Sequence, residues 1–133
     1  MAKLITATHH IALKCHGAEQ FEKMVDFYCN VLGLELTRRW GTADVPGAMI
    51  DTGNGTRLEI NANAVDDPGQ GALRHLALAT PSVDACVEAV QKAGYEIFLG
   101  PKDIVIASEP PLPARIAFCR GPVGEEIEFF QEL

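Results

Sequence analysis

Two histidines and two glutamates recur at matched places in two half-length copies of one pattern: His10 and Glu59 in the first half, His75 and Glu128 in the second. Each stands in a short run that alternates apolar and polar residues, the period of a half-buried strand. Taken singly, a strand histidine is ordinarily a hydrogen-bonded structural residue and a strand glutamate a solvated one. Taken jointly, the same two residue types on the first and last strands of both halves, always opposite the large aliphatic side chains, point to a shared site. Imidazole nitrogen with carboxylate oxygen suits zinc, nickel, cobalt, manganese or iron(II) better than it suits a thiolate-seeking ion. Four such ligands leave two positions of an octahedron for exchangeable water.

The elements that must position these residues follow the same order twice. In the first half, Ile11 and Leu13 face one way from a strand over 8–15, and His10, Ala12 and Lys14 face the other. A helix over 18–31 carries Phe21, Met24, Val25, Tyr28 and Leu32 as one apolar stripe and stops at Gly33. Strands are expected over 34–40, 48–51 and 56–62, with a turn at Asp44-Val45-Pro46-Gly47 and a hairpin at Gly53-Asn54-Gly55. On the last of these, Leu58 and Ile60 oppose Arg57, Glu59 and Asn61.

A segment of linker composition, Asp66-Asp67-Pro68-Gly69-Gln70-Gly71, precedes the second copy. There a strand over 74–80 sets Leu76 and Leu78 against His75 and Ala77. A helix over 81–93 is capped by Thr80 or Ser82, buries Val83, Val87 and Val90, and closes at Gly94. Strands over 95–99, 104–106, 115–119 and 125–131 follow, with a turn at Gly100-Pro101, a proline-rich loop over 109–113 and a tight turn at Gly121-Pro122-Val123-Gly124. The first half therefore reads β-α-β-β-β, and the second follows the same order with one additional short strand. The expected fold is α+β: two tandem βαβββ modules forming a curved, cupped mixed sheet with helices on the outer face. One domain would span 1–133, with modules at about 8–63 and 73–133 and a linker at about 64–72.

Composition excludes several classes of function. At 133 residues and 47% hydrophobic content the chain can bury a core, and its formal charge of −7 comes with no basic stripe that would serve nucleic acid. No apolar run approaches a membrane span, and Met1-Ala2-Lys3-Leu4 lacks the long apolar stretch of a leader, so a cytoplasmic protein is expected. Cys15, Cys29, Cys86 and Cys119 show no metal-binding spacing and are read as reduced, partly buried thiols. His9 is expected on the face opposite His10, and His16 in solvent.

Nearly the whole chain resembles the vicinal oxygen chelate superfamily, on His10-Ile11-Ala12-Leu13, Phe27-Tyr28-Cys29-Asn30-Val31-Leu32-Gly33-Leu34, Leu58-Glu59-Ile60, His75-Leu76-Ala77-Leu78, Ala93-Gly94 and Gly121-Pro122-Val123-Gly124-Glu125-Glu126-Ile127-Glu128. Filling all four ligand places with His/Glu/His/Glu is similar to glyoxalase I, whereas the epimerases of that superfamily carry Gln where Glu59 stands. The resemblance implies a metal-dependent lyase, cytoplasmic and homodimeric, that serves methylglyoxal detoxification. It would convert the hemithioacetal of a 2-oxoaldehyde and a thiol to a 2-hydroxyacyl thioester. Its cofactors would be one divalent ion per site (nickel, zinc, cobalt or manganese), with glutathione or another thiol as co-substrate. Glu128 would be the base, with Glu59 ligating and exchanging roles with it.

Asn63 matches an asparagine that contacts glutathione in glyoxalase I, and Lys14 stands in place of an arginine that binds the glutathione carboxylate. Lysine keeps that charge but loses the bidentate fork. Arg57 shares the Glu59 face and is a third candidate for substrate binding; Glu126, on the Glu128 face, reads as a rim carboxylate. The usual Asp-Pro-x-Gly turn is replaced by Arg120-Gly121-Pro122-Val123-Gly124, and the loop over 106–113 is longer than in the enzyme. The alternatives are an acyl-CoA epimerase of the methylmalonyl-CoA type and a non-catalytic small-molecule binding or resistance protein.

Overall fold

Alternation of apolar and polar residues builds eight strands in the computed structural model, which describes residues 7–66 and 75–133. The linker over 67–72 and the strand start at Arg74 lie outside the described residues. The chain divides into two compact units, Met1–Pro68 and Gly69–Leu133, and each repeats one plan.

In the first unit, β1 (His10–Lys14) pairs in parallel with β4 (Thr56–Asn61). β4 pairs antiparallel with β3 (Pro46–Gly53), and β3 antiparallel with β2 (Glu35–Gly41), so the sheet order is β1-β4-β3-β2. The second unit has the same mixed sheet, with β5 (Leu76–Ala79), β6 (Ile97–Ile106), β7 (Leu112–Arg120) and β8 (Glu126–Glu132) in the order β5-β8-β7-β6. Helix α1 (Gly17–Val25) packs on β3 and β4, and α2 (Val83–Lys92) on β6, β7 and β8. The expected βαβββ order is therefore present twice, in an α+β fold. Among the described residues no helix is long and apolar enough to cross a membrane.

Each sheet buries one face. Leu58 and Ile60 of β4 and Ile127 and Phe129 of β8 are buried, while their neighbours Arg57, Glu59 and Asn61 stay half-buried on the other face. The core of the first unit adds Phe21, Met24, Phe27, Tyr28 and Ile50. Phe27 was absent from the expected stripe, and Val25 and Leu32 are only half-buried. The reason is a change of helical geometry. After α1 the chain continues as a π-helical turn, Asp26–Val31, in which the Leu32 amide donates to the Phe27 carbonyl at 3.0 Å, five residues back. The wider turn brings Phe27 and Tyr28 together into the core, edge to face at 5.1 Å between ring centres.

A second difference lies in β6, expected as two strands broken at Gly100-Pro101. It is one strand whose register against β7 slips on both sides of Leu99. Gly100, at φ 79°, sits against the Ile116 carbonyl, where any side chain would collide. The break is thus a bulge rather than a turn. The expected hairpin is present, with Asn54 at φ 53° and Gly55 at φ 76° between β3 and β4.

Of the two expected caps for α2, Ser82 serves: its Oγ accepts from the Ala85 amide at 3.2 Å. Removing that acceptor by Ser82→Ala should lower unfolding stability by about 1 kcal/mol. Urea titration followed by circular dichroism would show it as a lower midpoint at unchanged slope.

Candidate functional site

In each unit the parallel strand pair decides what meets what. The register sets Ala12 opposite Glu59 and Ala77 opposite Glu128. An alanine there leaves the space over the glutamate open, and the histidine two residues earlier leans across it. His10 Nε2 lies 3.5 Å from Glu59 Oε2, and His75 Nε2 lies 3.6 Å from Glu128 Oε1. Two separate stretches of chain thus arrive at the same pair with nearly the same separation.

These separations exceed a good hydrogen bond, roughly 2.7–3.2 Å. They approach the roughly 3–3.4 Å between two donors that each bind a first-row ion at about 2.0–2.1 Å. Nitrogen and oxygen thus lie within ion-pair distance of each other but beyond a good hydrogen bond, and the donor set fits a borderline divalent cation. Each unit supplies one such pair; among the described residues no three metal-ligating side chains cluster.

The imidazoles are held from behind. His10 Nδ1 lies 3.0 Å from His9 Nδ1, with the two rings edge-on at 5.2 Å. His9 lies just before β1, so strand alternation does not carry it to the far face as expected; it turns back onto His10. A bond between two Nδ1 atoms needs one donor and one acceptor. With His10 donating, its Nε2 keeps a lone pair for a ligand role. His75 is held instead by the edge of Phe118, 5.3 Å between centres.

The carboxylates differ more. The Glu59 side chain is 24% exposed and accepts from Asn61 Nδ2 at 2.7 Å on Oε1. The Glu128 side chain is 12% exposed. Burial pushes Glu128 above the usual carboxylate range, and the neighbouring His75 opposes that shift.

The candidate substrate residues are placed as follows. Lys14 is exposed on the His10 face of β1. Arg57, in register with His10, gives Nη1 to the Gly55 carbonyl at 3.0 Å, so part of its donor capacity secures the hairpin. Asn63 is exposed beyond the end of β4, bridged to His16; the amide that meets Glu59 belongs to Asn61. Glu126 is half-buried and pairs with Arg120 at 3.5 Å, whose guanidinium covers the Phe98 ring at 4.4 Å. Asn61 and Phe118 were not candidates, although Asn61 shares the face of Glu59 two residues away, which was the available signal.

The chain belongs to the glyoxalase/bleomycin resistance protein/dioxygenase superfamily, whose family model matches residues 8–129. No curated protein matches it. Among solved structures it is similar to TnmS3, an antibiotic binding protein from Streptomyces sp. CB03234, at 24% identity and TM-score 0.73, covering 99% of this chain and 100% of that one. It is also similar to the trypanothione-dependent glyoxalase I of Leishmania major, at 17% identity and TM-score 0.70, covering 96% of this chain and 87% of that one. A glyoxalase I mutant from Zea mays matches at 20% identity and TM-score 0.70, covering 92% of this chain and 43% of that one. At these identities the likeness is one of fold.

Two consequences can be measured. A carboxyl group whose pKa is raised by folding binds more protons in the folded than in the unfolded state, so its stability contribution falls as pH rises above the unfolded carboxylate value. Glu128→Gln should therefore raise the melting temperature of metal-free protein at neutral pH, and the gain should shrink as pH drops into the ordinary carboxylate range. Calorimetry across that range would show it. The Cys119 thiol is buried and pushed up to about 12, chiefly by burial, with Glu125 and Cys86 adding to it. Mass spectrometry after iodoacetamide treatment of native protein at pH 8 should find Cys119 unmodified, against full reaction in denaturant.

Proposed function

We propose that this protein is a metal-dependent lyase of the glyoxalase I type. Its substrate would be the hemithioacetal formed from a 2-oxoaldehyde and a thiol, its product a 2-hydroxyacyl thioester. One observation carries the reading: both units build the same His–Glu pair, at 3.5 and 3.6 Å, each with an alanine opposite the glutamate. A binding protein without a metal has no use for two matched pairs of this chemistry. The glutamate at position 59, where the acyl-CoA epimerases of the superfamily carry glutamine, favours the lyase over that alternative.

His10 with Glu59, and His75 with Glu128, are the proposed ligands of a divalent ion, of which nickel, zinc, cobalt and manganese are the candidates. When bound, that ion supplies Lewis-acid stabilisation for negative charge spread over two neighbouring substrate oxygens. The chain's own residues do the rest. Glu128 takes the proton from the thiol-bearing carbon and returns it to the adjacent carbon while the hydroxyl proton passes from the first oxygen to the second, which moves the carbonyl beside sulfur with no net oxidation or reduction. A carboxylate raised by burial is the better base for this purpose, because its proton affinity lies closer to that of the acid it must deprotonate. Lys14 and Arg57, on the face of His10 and Glu59, would meet the anionic end of the thiol, and Asn63 its amide groups. Lysine at position 14 provides a point charge rather than a planar fork, so thiols other than glutathione fit the same chemistry. We further propose a homodimer that works in the cytoplasm.

The deciding assay uses methylglyoxal and glutathione on protein stripped of metal, then reloaded separately with zinc, nickel, cobalt or manganese. Thioester should appear only in reloaded samples. Glu128→Gln should cut turnover by at least about 100-fold while stoichiometric metal is still taken up, as read by plasma mass spectrometry. Turnover retained in that variant would remove Glu128 from the role. Metal uptake without turnover on glutathione, coenzyme A or other thiol adducts would overturn the lyase reading in favour of small-molecule binding.

A further inference from the structure

Three residues in register across β2, β3 and β4 stand out beside Glu59: Trp40, Gly47 and Asn61. Trp40 Nε1 donates to Asn61 Oδ1 at 3.2 Å, and Asn61 Nδ2 donates to Glu59 Oε1 at 2.7 Å. The contact skips a strand. Trp40 reaches Asn61 only by lying over Gly47, and a Cβ on that glycine would overlap the indole. Gly47 has an ordinary strand conformation, so its lack of a side chain serves the crossing rather than the backbone.

We infer that Asn61, held by Trp40, is a positioning residue for Glu59, an inference that rests on the metal-site reading above. The indole fixes which way the Asn61 amide faces: Oδ1 must meet the N–H donor, so Nδ2 must point to the carboxylate. The amide then ties down Oε1 and leaves Oε2 toward His10. A ligand whose free oxygen is already aimed loses less rotamer freedom when it binds an ion. Among the described residues, the second unit shows no such arrangement. There the residue two positions beyond Glu128 is Phe130, paired with Ile116, so no amide reaches Glu128 from that position. This asymmetry divides the labour: Glu59 is a fixed ligand, and Glu128 is left to move with a proton.

The chain has a single tryptophan, which makes the relay observable by itself. In metal-free, 15N-labelled protein, Glu59→Ala should move the Trp40 indole N–H resonance, although Glu59 bonds Asn61 and not Trp40. Asn61→Ala should move it further and abolish its response to added Zn²⁺. By titration calorimetry Asn61→Ala should weaken Zn²⁺ binding about 10–100-fold, and Gly47→Ala, which displaces only the indole, should weaken it in the same direction. Circular dichroism melts would confirm that each variant is folded; if Gly47→Ala does not fold, Trp40→Phe replaces it. Wild-type Zn²⁺ affinity in both Asn61→Ala and the indole variant would overturn the relay while leaving the metal site intact. Zn²⁺ binding absent from wild type would overturn the metal reading, and the metal-free indole shift would still decide whether Asn61 bridges Trp40 and Glu59.

Discussion

The parallel pairing of the first strand of each unit with its last is the constraint on which the rest depends. It sets an alanine against each glutamate, and only that register lets the histidine two residues earlier lean over the carboxylate. Because side chains alternate, a slip of either strand by one residue would turn its histidine or glutamate onto the helix side and its aliphatic residues outward. The register is therefore enforced by the buried face. Leu58 and Ile60 in one unit, and Ile127 and Phe129 in the other, lose apolar burial if it moves. The core thus specifies the site, although none of its residues takes part in the chemistry.

Similar pairs in different surroundings acquire different properties. Glu59 is more exposed and held by an amide, whereas Glu128 is more buried and has its proton affinity raised by that burial. The supports of the histidines differ as well. One ring is backed by a second imidazole and the other by a phenyl edge. Duplication alone would give two equivalent pairs; divergence around them has given the two carboxylates different surroundings.

Much of this was legible in the sequence. Period-two alternation located most strands, the order β-α-β-β-β was visible twice, and the four anchor residues followed from their shared face. What escaped depends on contacts that alternation does not encode. The π turn after α1 arises because two adjacent aromatic rings are both buried, and a stripe of 3.6-residue period cannot show that. β6 reads as two strands because Gly100-Pro101 looks like a turn, and only its pairing with β7 shows a bulge. His9 was assigned by alternation although it precedes the strand, where alternation no longer applies. Asn61, whose amide touches Glu59, was not a candidate although it shares the face of that residue, because the bond itself shows only in the folded structure.

The positions around the four anchors show how one scaffold can serve many chemistries. Met49 stands opposite Glu59 in the first unit, and Phe118 opposite Glu128 in the second. Two residues along, Asp51 is in register with Arg57, whereas Arg120 is in register with Glu126, so the order of charges is reversed. Apart from Phe118, which backs His75, none of these residues is required to place the histidines or glutamates, because the parallel pairing and the opposed alanines already do so. The others can change shape and charge without disturbing the anchors. Fold likeness at low identity therefore carries the scaffold but not the substrate, which depends on the side chains around the anchors rather than on the family.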